Sequence, residues 1–129
     1  MAISGAWRTE ADVITEVLAN LGAIAVGQPQ DPENTAYVAS RYDSVLRKIA
    51  AMELVDIQDP NNVPGIYFDC LVDILAQECA MKFGVAPDDY ARLVAKGLGS
   101  PPGTGDAARE LKLINRRKPT YAPLQIEYY

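Results

Sequence analysis

Residues 64–83 constrain the fold more than any other stretch, because they are apolar around most of a helical circumference. Tyr67, Cys70, Leu71, Ile74, Leu75 and Cys79 recur at helical spacing, with Met81 and Phe83 behind them. A helix that is apolar on most sides has to be surrounded by other elements rather than laid on a surface. Pro64 suits the first turn of such a helix and Gly84 its stop. The rest of the chain must therefore supply walls for this one helix.

The walls read as helices too. Thr9 is a good N-cap and Asp12, three residues on, approximates a capping box. Val13, Ile14, Val17, Leu18 and Leu21 follow as an apolar stripe and Gly22 offers a C-terminal stop, which predicts a helix over about residues 10–21. Asp31 caps a second helix with Pro32 in its first turn. Its stripe is Tyr37, Val38, Tyr42, Val45, Leu46, Ile49 and Met52. Residues 54–58 could form a short extended piece and residues 59–65 a loop. Pro87, Asp88 and Asp89 begin a fourth helix whose Tyr90, Leu93 and Val94 should face inward. Residues 97–105, rich in Gly and Pro, read as a flexible loop. Asp106 can cap a short fifth helix carrying Ala107, Leu111 and Ile114. The expected fold is all-α: an up-and-down bundle of four to five helices over residues 1–115, followed by an extended C-terminal arm.

That arm, residues 116–129, breaks the helical pattern. Leu124, Ile126 and Tyr128 alternate with Gln125 and Glu127, as in a strand with two unlike faces. A lone strand leaves backbone N–H and C=O groups without partners, and a helical domain has no sheet for it to join. Pro123 lacks an N–H, so pairing would run along one edge only. Addition of such a strand to another subunit would satisfy it. Tyr121, Tyr128 and Tyr129 offer contact area at low entropic cost. The candidate partner-binding residues are Arg116, Arg117, Lys118, Tyr121, Leu124, Ile126, Tyr128 and Tyr129. The plain alternative is an arm folded back on its own bundle.

The net charge of −5 is unevenly spread. Residues 1–105 carry 7 basic and 14 acidic residues, a net of −7, and residues 106–129 carry 5 and 3, a net of +2. An acidic body argues against binding nucleic acid with the whole surface. An acidic body with a basic tail suits head-to-tail contact between copies. The basic run Arg109, Lys112, Arg116, Arg117 and Lys118 could instead complement a helix C-terminus, or touch phosphates in a small nucleic-acid-binding or regulatory protein. No apolar run approaches the ~20 residues of a membrane span, and the N-terminus lacks the pattern of a signal peptide. A cytoplasmic setting is expected, and Cys70 and Cys79, on opposite faces of one helix, fit it as buried reduced thiols.

Chemistry finds little to build on. The chain has no histidine, which removes the commonest base near neutral pH and the commonest transition-metal ligand. Asp69 and Asp73 lie one helical turn apart and could serve a hydrolase as acid and base, with Glu16 and Glu53 elsewhere; they also look like a solvated helix face. The glycines of residues 97–105 lack the Lys-Ser/Thr pair and preceding strand of a phosphate loop. No enzyme activity, cofactor or metal is expected.

The order of these pieces resembles the head-to-tail adaptor (connector) proteins of tailed bacteriophages, including the tail accessory factors of short-tailed phages. The matching segments are Ala19-Asn20-Leu21-Gly22, Tyr42-Asp43-Ser44-Val45-Leu46, Ala80-Met81-Lys82-Phe83-Gly84 and Leu124-Gln125-Ile126-Glu127-Tyr128. The resemblance spans about residues 9–129 and rests on order more than on any one motif. It implies a structural virion protein, assembled in the host cytoplasm and located at the head–tail interface. Its partners would be the portal protein, neighbouring copies in a ring of about twelve and a downstream tail component. DNA would pass through the ring without sequence-specific binding, and the arm would reach the portal or the next subunit. The loop at residues 97–105 departs from the family pattern by interrupting the fourth helical region.

Overall fold

The computed structural model describes residues 7–22 and 31–117, with only the helical backbone of Arg116 and Arg117. Five helices follow in order: α1 (Glu10–Asn20), α2 (Pro32–Ala51), α3 (Gly65–Cys79), α4 (Pro87–Lys96) and α5 (Asp106–Arg117). The fold is an all-α bundle, as its periodicity predicts. A 3₁₀ turn, Ala80–Phe83, prolongs α3 and ends at Gly84 with φ of 67°.

The helices begin where their local chemistry places them. The Thr9 hydroxyl accepts from the Asp12 N–H at 3.2 Å, and the Asp12 carboxylate accepts from the Thr9 N–H at 3.1 Å, completing the capping box. Asp31 accepts from the Glu33 N–H at 3.0 Å and Pro32 opens α2. α5 starts one residue earlier than expected: Asp106, read from the sequence as its cap, is its first residue. The helical backbone also includes Arg116 and Arg117, which the sequence assigned to the arm.

α3 is the centre. It packs against α1, α2, α4 and α5, and nine of its residues are buried, from Tyr67 to Cys79. Val13, Val17 and Leu18 of α1, Val38, Tyr42, Val45 and Ile49 of α2, and Leu111 of α5 close around it. α4 is the exception: Tyr90, Leu93 and Val94 are only half-buried and no residue of this helix is buried. Arg41 and Glu78 join α2 to α3 by an ion pair.

Two features depart from the expected layout. First, Trp7–Arg8 (β1) pairs antiparallel with Val63–Pro64 (β2), Trp7 opposite Pro64 and Arg8 opposite Val63. The Asn61 side chain adds a bond, accepting from the Glu10 N–H at 3.1 Å. The Arg8 guanidinium lies 4.5 Å from the centre of the Phe68 ring. Residues 54–58, expected as an extended piece, join no strand; Leu54 and Val55 are buried instead.

Second, residues 97–105 are folded in upon themselves, not open as a flexible loop would be. The N–H groups of Gly103 and Gly105 both donate to the Leu98 carbonyl at 2.8 Å. Gln77 on α3 accepts from the Leu98 N–H at 2.7 Å. Leu98, Gly97, Gly99 and Gly105 are buried. A Cβ on Gly105 would stand 2.1 Å from the Gly97 carbonyl oxygen, and one on Gly99 2.3 Å from the Gly105 nitrogen. The glycines are there to let backbone touch backbone.

Candidate docking groove

An open groove of about 660 Å³ lies between the end of α2, the chain leading into β2, and the end of α5. Its shape begins with the stop of α2. Met52 is the C-cap, and the next two N–H groups turn back: Glu53 donates to the Ala50 carbonyl and Leu54 to the Ile49 carbonyl, both at 3.0 Å. That pattern ends a helix with a left-handed residue, usually glycine. Here the residue is Glu53, with φ of 60°. Left-handed backbone costs a residue with a Cβ about 1–2 kcal/mol, and such strain gathers at functional positions. Its effect is to carry a carboxylate on the groove, where glycine would leave none.

Leu54, folded under this turn, is 1% exposed. The chain then runs along the groove past Asp56, Ile57 and Asp59. Tyr42, buried on α2, holds the far end by donating to the Pro60 carbonyl at 3.0 Å. Burial, with smaller contributions from Glu10 and Asp59, raises the pKa of that phenol. It stays a neutral donor.

The opposite wall belongs to α3 and α5. The Tyr67 hydroxyl donates to the Asn115 side-chain oxygen at 3.2 Å, and the Asn115 amide donates to the Leu54 carbonyl. One asparagine thus ties the end of α5 to the turn after α2. Trp7 forms the rim; it is 52% exposed, which is unusual for the chain's single tryptophan. Glu53, Asp56 and Asp59 line the groove and no Lys or Arg does; among the described residues none of the three forms an ion pair with a basic side chain. The groove is therefore acidic at its edges and apolar at its base.

Of the sequence-level partner-binding residues, Arg116 and Arg117 continue the backbone of α5 two residues beyond this groove. Lys118, Tyr121, Leu124, Ile126, Tyr128 and Tyr129 lie outside the described residues. Arg109, from the same basic run, is paired with Asp106. The groove itself was missed in the sequence. The acidic spacing Glu53, Asp56, Asp59 next to an apolar Leu54, Val55 and Ile57 was the signal available.

The carboxylates considered for hydrolysis sit elsewhere. Asp69 is exposed and Asp73 half-buried, and neither lines the groove or the second cleft at the foot of α4. Burial raises the Asp73 pKa, Lys96 opposes the rise, and Asp69, Asp106 and Glu110 add to it. Cys70 and Cys79 are buried free thiols, each pushed up to about 12 mainly by burial, so they remain protonated and poorly nucleophilic. Among the described residues no group of three or more His, Cys, Asp or Glu could hold a metal ion, and no helix is long and apolar enough to cross a membrane. Comparison with protein-family models, curated proteins and solved structures returned no match.

Proposed function

We propose that this chain is a head-to-tail adaptor of a tailed bacteriophage, a non-enzymatic virion protein at the head–tail interface. It assembles in the host cytoplasm as a ring of about twelve copies between the portal and the downstream tail component. The ring lengthens the DNA channel. The observation that carries this reading is the segment that follows α5. A small helical bundle is complete at α5, and a further segment with a basic root, Arg116-Arg117-Lys118, and strand-like alternation at Leu124, Ile126 and Tyr128 still follows.

Three further observations support it. Gly22 and Gly84, which close two of the segments that carry the resemblance, both take the left-handed backbone of a helix stop. The acidic body and basic end supply the two unlike patches that a closed ring needs, because each copy presents different faces to its two neighbours. Arg109 is already paired within α5, which leaves fewer free cations for the rival nucleic-acid reading.

Electron microscopy of the portal protein mixed with this chain tests the reading. Full-length protein should decorate the portal with the portal's own symmetry, and deletion of residues 119–129 should abolish decoration. Decoration that survives the deletion removes the docking role of the arm. Duplex DNA should bind weakly at physiological salt; tight binding that falls steeply with salt would favour the nucleic-acid reading instead.

A further inference from the structure

The groove and the arm share a boundary, and this suggests what the groove is for. Asn115 lines the groove, and Arg117, two residues later, is the last described residue of the chain. Asn115 is held by both Tyr67 and the Leu54 carbonyl, which ties α5 to the groove two residues before Arg117. The 12 residues 118–129 reach at most about 40 Å when extended, and the first four cover about 13 Å. A 660 Å³ groove falls within the on-the-order-of 300–1,000 Å³ range of clefts that bury ligands of a few residues' size.

Charge matches as well. The rim offers Glu53, Asp56 and Asp59 without a basic residue among the lining, and the departing chain runs Arg116-Arg117-Lys118. Beyond them come Pro119, Thr120 and Tyr121, an aromatic residue of the kind that suits the half-exposed Trp7 lining the groove.

We infer that in the free subunit the groove is occupied by the chain's own C-terminal segment. Lys118 carries the charge that complements the acidic rim, and Tyr121 the aromatic ring that suits Trp7. A tethered segment meets its groove at an effective concentration on the order of millimolar, so even weak contacts fill it before a second copy can. The arm is stored until a partner that pairs with it better draws it out. The meaning of that storage rests on the adaptor reading, but the occupancy does not.

Trp7 makes the occupancy measurable, because the chain has no other tryptophan. Emission and acrylamide quenching are compared for the full chain and for a chain ending at Arg117, whose helicity is checked by circular dichroism. The full chain should emit further to the blue and be quenched roughly twofold less. That protection should not change with protein concentration, as expected of an intramolecular contact. In the full chain, Tyr121→Ala and the pair Asp56→Lys with Asp59→Lys should each shift emission and quenching to those of the shortened chain. These substitutions decide the matter if the shortened chain does not fold.

Identical quenching in all chains overturns the inference. Protection that rises with concentration alongside a dimeric mass gives the groove to a second copy and overturns it too. Protection lost on removing residues 2–6 but not the arm gives it to the N-terminal segment, with the same consequence. Protected Trp7 in a protein that never decorates the portal would leave this inference standing and remove the adaptor reading.

Discussion

Two connections without regular structure do opposite things in this molecule. Residues 97–105 turn between α4 and α5 and close on themselves, with carbonyl and amide groups of Leu98, Gly103 and Gly105 meeting directly and Gln77 holding the turn to α3. Residues 52–62 run from α2 to β2 and leave an open, acid-edged groove. The difference follows from side chains. Glycine lets backbone approach backbone, so the first connection can be filled by main chain alone. The second has no glycine, carries Glu53, Asp56 and Asp59, and keeps the charges in water. A connection that satisfies its own backbone has little left to bind with. One that parks carboxylates beside exposed apolar surface can receive another segment.

The closed connection should be the less forgiving. Gly105→Ala places a Cβ 2.1 Å from the Gly97 carbonyl oxygen, a backbone atom that cannot swing aside. We expect a loss of about 1–3 kcal/mol, measured by urea unfolding. A change under a few tenths would show that this turn yields as an open loop would, and the contrast between the two connections would fail.

The open connection should respond in the other direction. Glu53→Gly relieves a left-handed backbone and should stabilise the free bundle by about 1 kcal/mol, offset in part by glycine's greater freedom when unfolded. The same change removes one rim carboxylate, so Trp7 should become easier to quench. Greater stability with unchanged quenching would leave Glu53 without a part in the groove.

The smallest effect concerns charge on the closed side. Asp73, whose carbonyl approaches Gly97, has its pKa raised mainly by burial. The unfolded chain therefore ionises this carboxyl more readily than the folded one does. Its contribution to stability is present below the usual carboxylate pKa of 3.8 and is lost as pH rises through the higher folded value. Asp73→Asn should raise Tm near pH 7 and make little difference near pH 3. An equal shift at both pH values would assign the effect to packing instead. For a hydrolase that used Asp69 and Asp73, the same substitution would abolish activity.

The starts of α1, α2 and α3, and the stops of α1 and α3, were legible because they depend on neighbours in sequence. Thr9 with Asp12, Asp31 with Pro32, and the glycines at 22 and 84 act within one turn of where they stand. The stop of α2 was not marked, because glutamate at position 53 occupies the place a glycine would announce. Nor was β1 with β2, since two residues are too few for alternation and the partners lie more than fifty positions apart. The groove needed the end of α5 to be brought beside the turn after α2, which one side chain, Asn115, accomplishes through Tyr67 and Leu54.

By itself the sequence determined an all-helical bundle around a buried third helix, with an acidic body and a basic, aromatic end. Those are properties of spacing and composition, carried by each segment alone. Tertiary structure decided that a glycine-rich stretch would be packed and not loose, and that an acidic groove would open beside the end of α5. Both depend on which distant surfaces meet, and burial of a backbone or a carboxylate is settled only by what stands against it.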